Sequence, residues 1–135
     1  MRCADSILNL GINRVISKLK DKYPGKKIIK NPPDNPTEII CEIEPTSNHP
    51  EKSLAVAVVG RSPLHYHKHT TEIYEAIRGK LTLYKNGKKH KLNKGDKITI
   101  KPGEVHYVEG KETWFKTYSS PGWTFKDHIL KIEKK

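Results

Sequence analysis

The spacing of apolar residues changes once along this chain, and the change divides it. Between residues 5 and 22, Ile7, Leu8, Ile12, Val15, Ile16 and Leu19 recur three and four positions apart. That period predicts an amphipathic helix, with Asp5 or Ser6 as its cap and Tyr23-Pro24-Gly25 as its end. The loop Asn31-Pro32-Pro33-Asp34-Asn35-Pro36 follows, because three prolines in five residues propagate neither a helix nor a central strand. Beyond it the period falls to two. Thr37–Glu44 sets Ile39, Cys41 and Ile43 on one face, and Ser53–Val59 is a short apolar run closed by Gly60. Glu72–Arg78 and Lys80–Lys85 flank Gly79, which reads as a bulge or bend inside one curved strand. Asn86-Gly87 is a hairpin signal leading into Lys88–Leu92, and Asn93-Lys94-Gly95-Asp96 is a second turn. Lys97–Lys101, Glu104–Val108 and Glu112–Tyr118 complete the series. Short strands at short intervals predict an all-β sandwich or barrel preceded by one helix.

Composition narrows the class. A chain of 135 residues is expected to form one domain, and no apolar run approaches the ~20 residues of a membrane span. The opening Met1-Arg2-Cys3-Ala4-Asp5 lacks the basic and apolar regions of a signal peptide. Cys3 and Cys41 are too few for a disulfide scaffold, so a soluble cytoplasmic protein is expected.

The net charge of +11 is uneven. Residues 78–101 hold nine basic side chains against Asp96 alone, a local excess of 9 − 1 = +8. Such a stripe can attract nucleic acid, but single-strand grooves also need stacking aromatics, and only Tyr84 is interleaved. Lysines that keep exposed edge strands solvated and unpaired are the preferred explanation.

The chemistry concentrates in the histidines. His65-Tyr66-His67-Lys68-His69 packs three of the seven into five residues, with Glu72 and Glu75 just after. Imidazole and carboxylate at this spacing suit a divalent first-row metal. In an extended segment His65 and His67 share a face, and Glu72 rejoins it if Thr70-Thr71 turns the chain. A fourth ligand must come from another strand. His49, His90 and His128 stand alone and read as surface residues.

The segment from Gly60 through His65, His67 and Glu72 to Gly79 resembles the first motif of the cupin family: Gly, His-x-His, Glu, Gly. Gly95, Pro102, Gly103 and His106 resemble the second, with Lys101 where the family has a proline and Gly110 where it has an asparagine. The resemblance, spanning about Gly60 to Gly110, implies a small stand-alone jelly-roll barrel over residues 37–135. Residues 1–36, the helix and Pro-rich loop, would pack on it. It also implies a divalent metal (Fe, Mn, Zn or Ni) held by His65, His67, Glu72 and His106; hydrogen-bonded barrel histidines without metal are the alternative. A homodimer is the family expectation.

The family does not choose a reaction. A metal acting as Lewis acid fits a dioxygenase or a sugar isomerase or epimerase, and a non-catalytic small-molecule sensor uses the same barrel. A nucleic-acid-associated protein is the remote alternative. The ligand is expected to be a small molecule, with the basic stripe favouring an anionic one. An isomerase needs a base, for which Tyr74, sharing Glu72's parity, and His69 are the candidates. His69 is read as mouth-lining or exposed rather than as a ligand, since Glu72 follows it too soon. Glu75 should point outward, no second inward carboxylate stands out, and Trp114, Phe115, Tyr118 and Trp123 read as core or as a lid over the mouth.

Overall fold

The computed structural model describes residues 3–131, with side chains from Gly11 onward. Helix α1 runs Cys3–Lys22, and the expected cap at Asp5 or Ser6 and the apolar side chains of Ile7 and Leu8 lie outside the described side chains. Ten strands follow: β1 Lys27–Asn31, β2 Glu38–Glu44, β3 Ser53–Arg61, β4 His65–Tyr66, β5 Thr71–Arg78, β6 Leu81–Lys85, β7 Lys88–Leu92, β8 Lys97–Ile100, β9 His106–Ser120 and β10 Ile129–Leu130. A single turn of 3-10 helix, Phe125–Asp127, precedes β10. Strands β1, β4 and β10 are additions to the pattern read from the sequence; β4 and β10 are two residues each, too short to alternate.

The two strands expected at Glu104–Val108 and Glu112–Tyr118 are one, β9, and it organises the barrel. Its C-terminal half pairs with β3 on one edge and β5 on the other, and its N-terminal half with β4 and β6. Two antiparallel sheets thus share one bent strand, β1-β2-β3-β9-β5-β8 and β10-β4-β9-β6-β7, the arrangement of a jelly roll. The bend is local. Gly110 lies where a Cβ would collide with the Thr113 side chain, and Glu112 takes a left-handed φ of 51°. That crowding explains why glycine stands where the family has asparagine. Gly79 is not a bulge within a strand: it forms the turn between β5 and β6 at φ 83°, with Thr113 Oγ1 3.2 Å from where its Cβ would stand.

Burial on two faces explains the apolar run of β3. Val56 and Val58 meet Val15, Leu19, Ile39, Cys41 and Trp114 under α1, while Ala57 and Val59 join Tyr74, Leu81, Leu83 and Phe115 inside the barrel. The apolar row of β2 therefore faces the helix, and its alternate row faces the barrel interior. Among the described residues, strands β7 and β8 each pair on one edge, and Lys88, Lys89, Lys91 and Lys97 lie exposed on sheet edges. Among the described residues, no helix is long and apolar enough to cross a membrane.

Candidate metal centre

Strand pairing assembles the cluster. His65 in β4 and His106 at the start of β9 are directly opposite partners, which no sequence spacing announces. His67 follows in the β4–β5 loop, whose carbonyl accepts the Gly103 N–H at 2.8 Å, tying the Pro102-Gly103 turn to the first motif. Glu72 enters from β5. The four side chains are buried, none more than 4% exposed, and their donor atoms lie within 4.8 Å of one another.

The partners behind the rings fix which nitrogen faces inward. His65 Nδ1 lies 2.7 Å from the Pro63 carbonyl, His67 Nδ1 2.9 Å from that of Asp127, and His106 Nδ1 2.9 Å from that of Glu104. A carbonyl only accepts, so each ring places its proton on Nδ1 and turns the Nε2 lone pair inward. His67 Nε2 and Glu72 Oε1 then face each other at 3.1 Å as two acceptors, both buried and neither with a hydrogen-bond partner. His106 Nε2 lies 3.4 Å from the same oxygen and accepts from the Tyr74 hydroxyl at 3.3 Å. Converging lone pairs in a buried site call for a positive charge. The donor set, three imidazoles and one carboxylate, fits a divalent first-row cation.

The electrostatics point the same way. Burial pushes the Glu72 carboxyl up, but the adjacent His106 and His67 outweigh it and hold it below the usual carboxylate range, so it enters the cluster as an anion. Burial lowers His67, yet Glu72 and then Asp127 overcome it and leave its pKa above the ordinary value, so that without a cation a second proton on Nε2 answers the same demand for positive charge. His65 is driven well below its ordinary value by burial, reinforced by His106 and His128, so it is a neutral imidazole.

A cupin-domain family model matches residues 54–113, the stretch holding all four residues. That stretch is a cupin domain. Among solved structures, a Streptomyces nucleoside dehydratase superposes with a TM-score of 0.67 at 15% identity, covering 82% of this cupin and 90% of that chain. A protein from Planctomyces limnophilus gives 0.66 at 19% identity over 80% and 92%. Ectoine synthase from P. lautus gives 0.58 at 14% identity over 73% and 79%. No curated protein matches the sequence.

The remaining expected residues separate. Tyr74 is buried in this cupin's cavity beside His106, and burial followed by the charges of Glu72 and Glu38 raises its phenol well above the ordinary range. His69 is exposed: its backbone N–H is turned to the Asp127 carboxylate, and its side chain faces solvent, outside the cluster. Glu75 accepts from the Tyr118 hydroxyl at 2.8 Å, away from the site. Trp114 packs under α1, Phe115 fills the barrel, and only Trp123 of the expected aromatic group reaches the cavity.

Three site residues were missed. His128 is not a surface residue, since β10 pairs with β4 and stacks its ring on His65 with centroids 4.3 Å apart. Burial lowers it to about 4, and neither ring nitrogen has a hydrogen-bond partner. His90 is likewise half-buried, on β7 and remote from the cluster, whereas His49 bonds the Lys52 carbonyl in its own loop. Asp127 supports the β4–β5 loop. Glu38, a second inward carboxylate, was hidden by the apolar face of β2: with Ile39, Cys41 and Ile43 turned to the helix, Glu38, Glu42 and Glu44 line the cavity. Among the described residues, that cavity has no lysine or arginine in its lining. The basic stripe does not reach it, which removes the sequence-based reason to expect an anionic ligand.

Proposed function

We propose that this cupin is a metal-dependent small-molecule enzyme in which His65, His67, Glu72 and His106 hold one divalent cation at the inner end of the cavity. The observation that carries this reading is the buried pair His67 Nε2 and Glu72 Oε1, 3.1 Å apart and converging with His65 and His106, a contact that only a proton or a cation between them reconciles. When bound, the cation supplies Lewis acidity to an oxygen of the ligand. The chain's residues do the rest. The backbone carbonyls of residues 63, 104 and 127 orient the three rings, Tyr74 offers a hydroxyl beside His106, and Trp123 and His128 supply an aromatic wall. Similarity in fold to a nucleoside dehydratase and an ectoine synthase supports looking for an enzyme first.

Of the two reaction types a cupin Lewis acid suggests, isomerase or epimerase chemistry is favoured over dioxygenation. Proton-handling groups, Tyr74 and the additional carboxylate Glu38, share the cavity with the cluster. Metal analysis of protein purified without added metal tests the reading. Manganese, zinc, nickel or iron at about one ion per chain, with no oxygen uptake on addition of sugars, is expected. Metal-free protein that also fails to take up added Mn, Zn, Ni or Fe overturns it, and iron with ligand-dependent oxygen uptake replaces the isomerase type by the oxygenase.

A further inference from the structure

Glu38 is a carboxylate in an unusual place. It is buried, it lines the same cavity as Glu72, Tyr74 and His65, and its Oε1 accepts from Asn31 Nδ2 at 3.0 Å. Asn31 is the last residue of β1 and pairs directly with Glu38 across the β1–β2 ladder, so the pair is built into the sheet. Among the described residues no lysine, arginine or histidine forms an ion pair with Glu38. A buried carboxylate without a counter-ion is costly as a purely structural element. The groups around it are Asn31 from β1, Glu42 and Glu44 further along β2, Glu72 and Tyr74 from β5, and His65 and His128 on the cavity wall. Burial, with the charge of Glu72 adding to it and Asn31 opposing it, places its pKa at about 7, where a carboxyl both gives and takes protons.

The lining also selects a ligand class. Among the described residues the charged groups of the lining are Glu38, Glu42, Glu44 and Glu72 with no lysine or arginine, which disfavours carboxylates and phosphates. Ser53, Thr117 and Ser119 offer hydroxyls, and Trp123 a ring face, which suits a neutral polyhydroxylated molecule.

We propose that Glu38 is the proton-transfer group of this cavity and that the substrate is a neutral α-hydroxy aldehyde or ketone, a class that includes the free sugars. This rests on the metal-centre reading, which supplies the polarisation of the carbonyl. The C–H bond beside the carbonyl breaks, its electron pair forms the carbon–carbon double bond of an enediolate, and the proton passes to the Glu38 carboxylate. Return of that proton to the adjacent carbon, with the hydroxyl proton moving to the former carbonyl oxygen, exchanges aldehyde for ketone. Return to the same carbon on its other face gives the epimer. No oxidant or reductant is consumed.

The test follows carbon-bound hydrogen by proton NMR in D2O with dihydroxyacetone, D-ribulose and D-fructose as neutral probes and ribulose 5-phosphate as the anionic one. The metal-loaded protein is expected to exchange the α-hydrogen of at least one neutral probe. Glu38→Gln should slow that exchange about a hundredfold or more with metal content unchanged, and Glu38→Asp should retain part of it. A second measurement needs no substrate: Glu38→Gln should melt above the unmodified protein at pH 8 and level with it near pH 5. Metal-loaded protein that exchanges no neutral probe, exchange confined to the phosphate, a Gln variant as fast as the parent, or melting curves indifferent to the substitution each overturn the proposal. Failure to bind metal at all is a different result, and overturns the metal-centre reading beneath it.

Discussion

Asp127 holds His67 from behind: its carbonyl oxygen lies 2.9 Å from His67 Nδ1, while its carboxylate accepts the backbone N–H groups of Lys68, His69 and Thr70. One residue thus sets the orientation of a cluster ring and the shape of the loop carrying it. Thr124 completes the arrangement by accepting the Asp127 N–H at 3.2 Å. The segment from Thr124 to Asp127 is in this way part of the frame of the candidate metal centre.

Asp127→Ala leaves three loop N–H groups without their acceptor. We expect metal affinity to fall about tenfold to a hundredfold, the usual effect of losing a partner behind the ligands. Chelator competition with zinc measures it. Asp127→Asn, which keeps one acceptor oxygen, should fall between the parent and Ala, whereas equal affinities in all three would show that the loop holds its shape unaided. Burial raises the Asp127 carboxyl, but the three backbone N–H groups and the Thr70 side chain outweigh it and leave a lowered pKa. The carboxylate's contribution is therefore present above the ordinary Asp value, near about pH 4, and is lost as pH falls below it.

The Asn31 side chain lowers the Glu38 carboxyl against the larger effect of burial. Asn31→Ala should accordingly move the Glu38 titration upward from about 7, read from the carboxyl carbon signal in labelled protein. The sign for stability follows. A carboxyl whose folded pKa stands above its unfolded value binds extra protons in the folded state, so stability declines as pH rises from about 4.5 through 7. Asn31→Ala should carry that decline on to higher pH, and a decline that levels off at the same pH as in the parent would mean that Asn31 does not govern Glu38.

Leu19 is fully buried where α1 meets β2, β3 and Trp114. Leu19→Ala should cost about 2–5 kcal/mol, measured by denaturant unfolding of the metal-loaded protein. Loss below about 1 kcal/mol would mean that the helix does not cover this face tightly in solution.

Much of this was legible in the residues. The 3.6-residue period of α1, the alternation in β2 and the Asn86-Gly87 hairpin are local signals, and the structure follows them. Three of the four clustered residues lie within eight positions, His65 to Glu72, so spacing alone brings them forward. What escaped depends on long-range pairing. His128 enters the cavity because β10 pairs with β4 across more than sixty positions, and a strand of two residues has no periodicity to read. Glu38 escaped for a different reason. An apolar row on a strand is ordinarily taken for the inner face, but here the helix covers the outer one, so the row with three glutamates turns inward. The lysine stripe, conspicuous in sequence, settled on edges remote from the chemistry.

The most direct test of the metal centre is the metal stoichiometry of the parent protein beside His106→Ala, measured on the intact chain by native mass spectrometry with each of Mn, Fe, Ni and Zn supplied. His106 closes the cluster from the second motif and is completely buried, so its removal takes away one Nε2 donor while the β4–β5 loop remains. About one ion per parent chain and at least a tenfold weaker hold in the variant is the expected result. Equal metal content and equal affinity in the two proteins would contradict the assignment of His65, His67, Glu72 and His106 as a metal site.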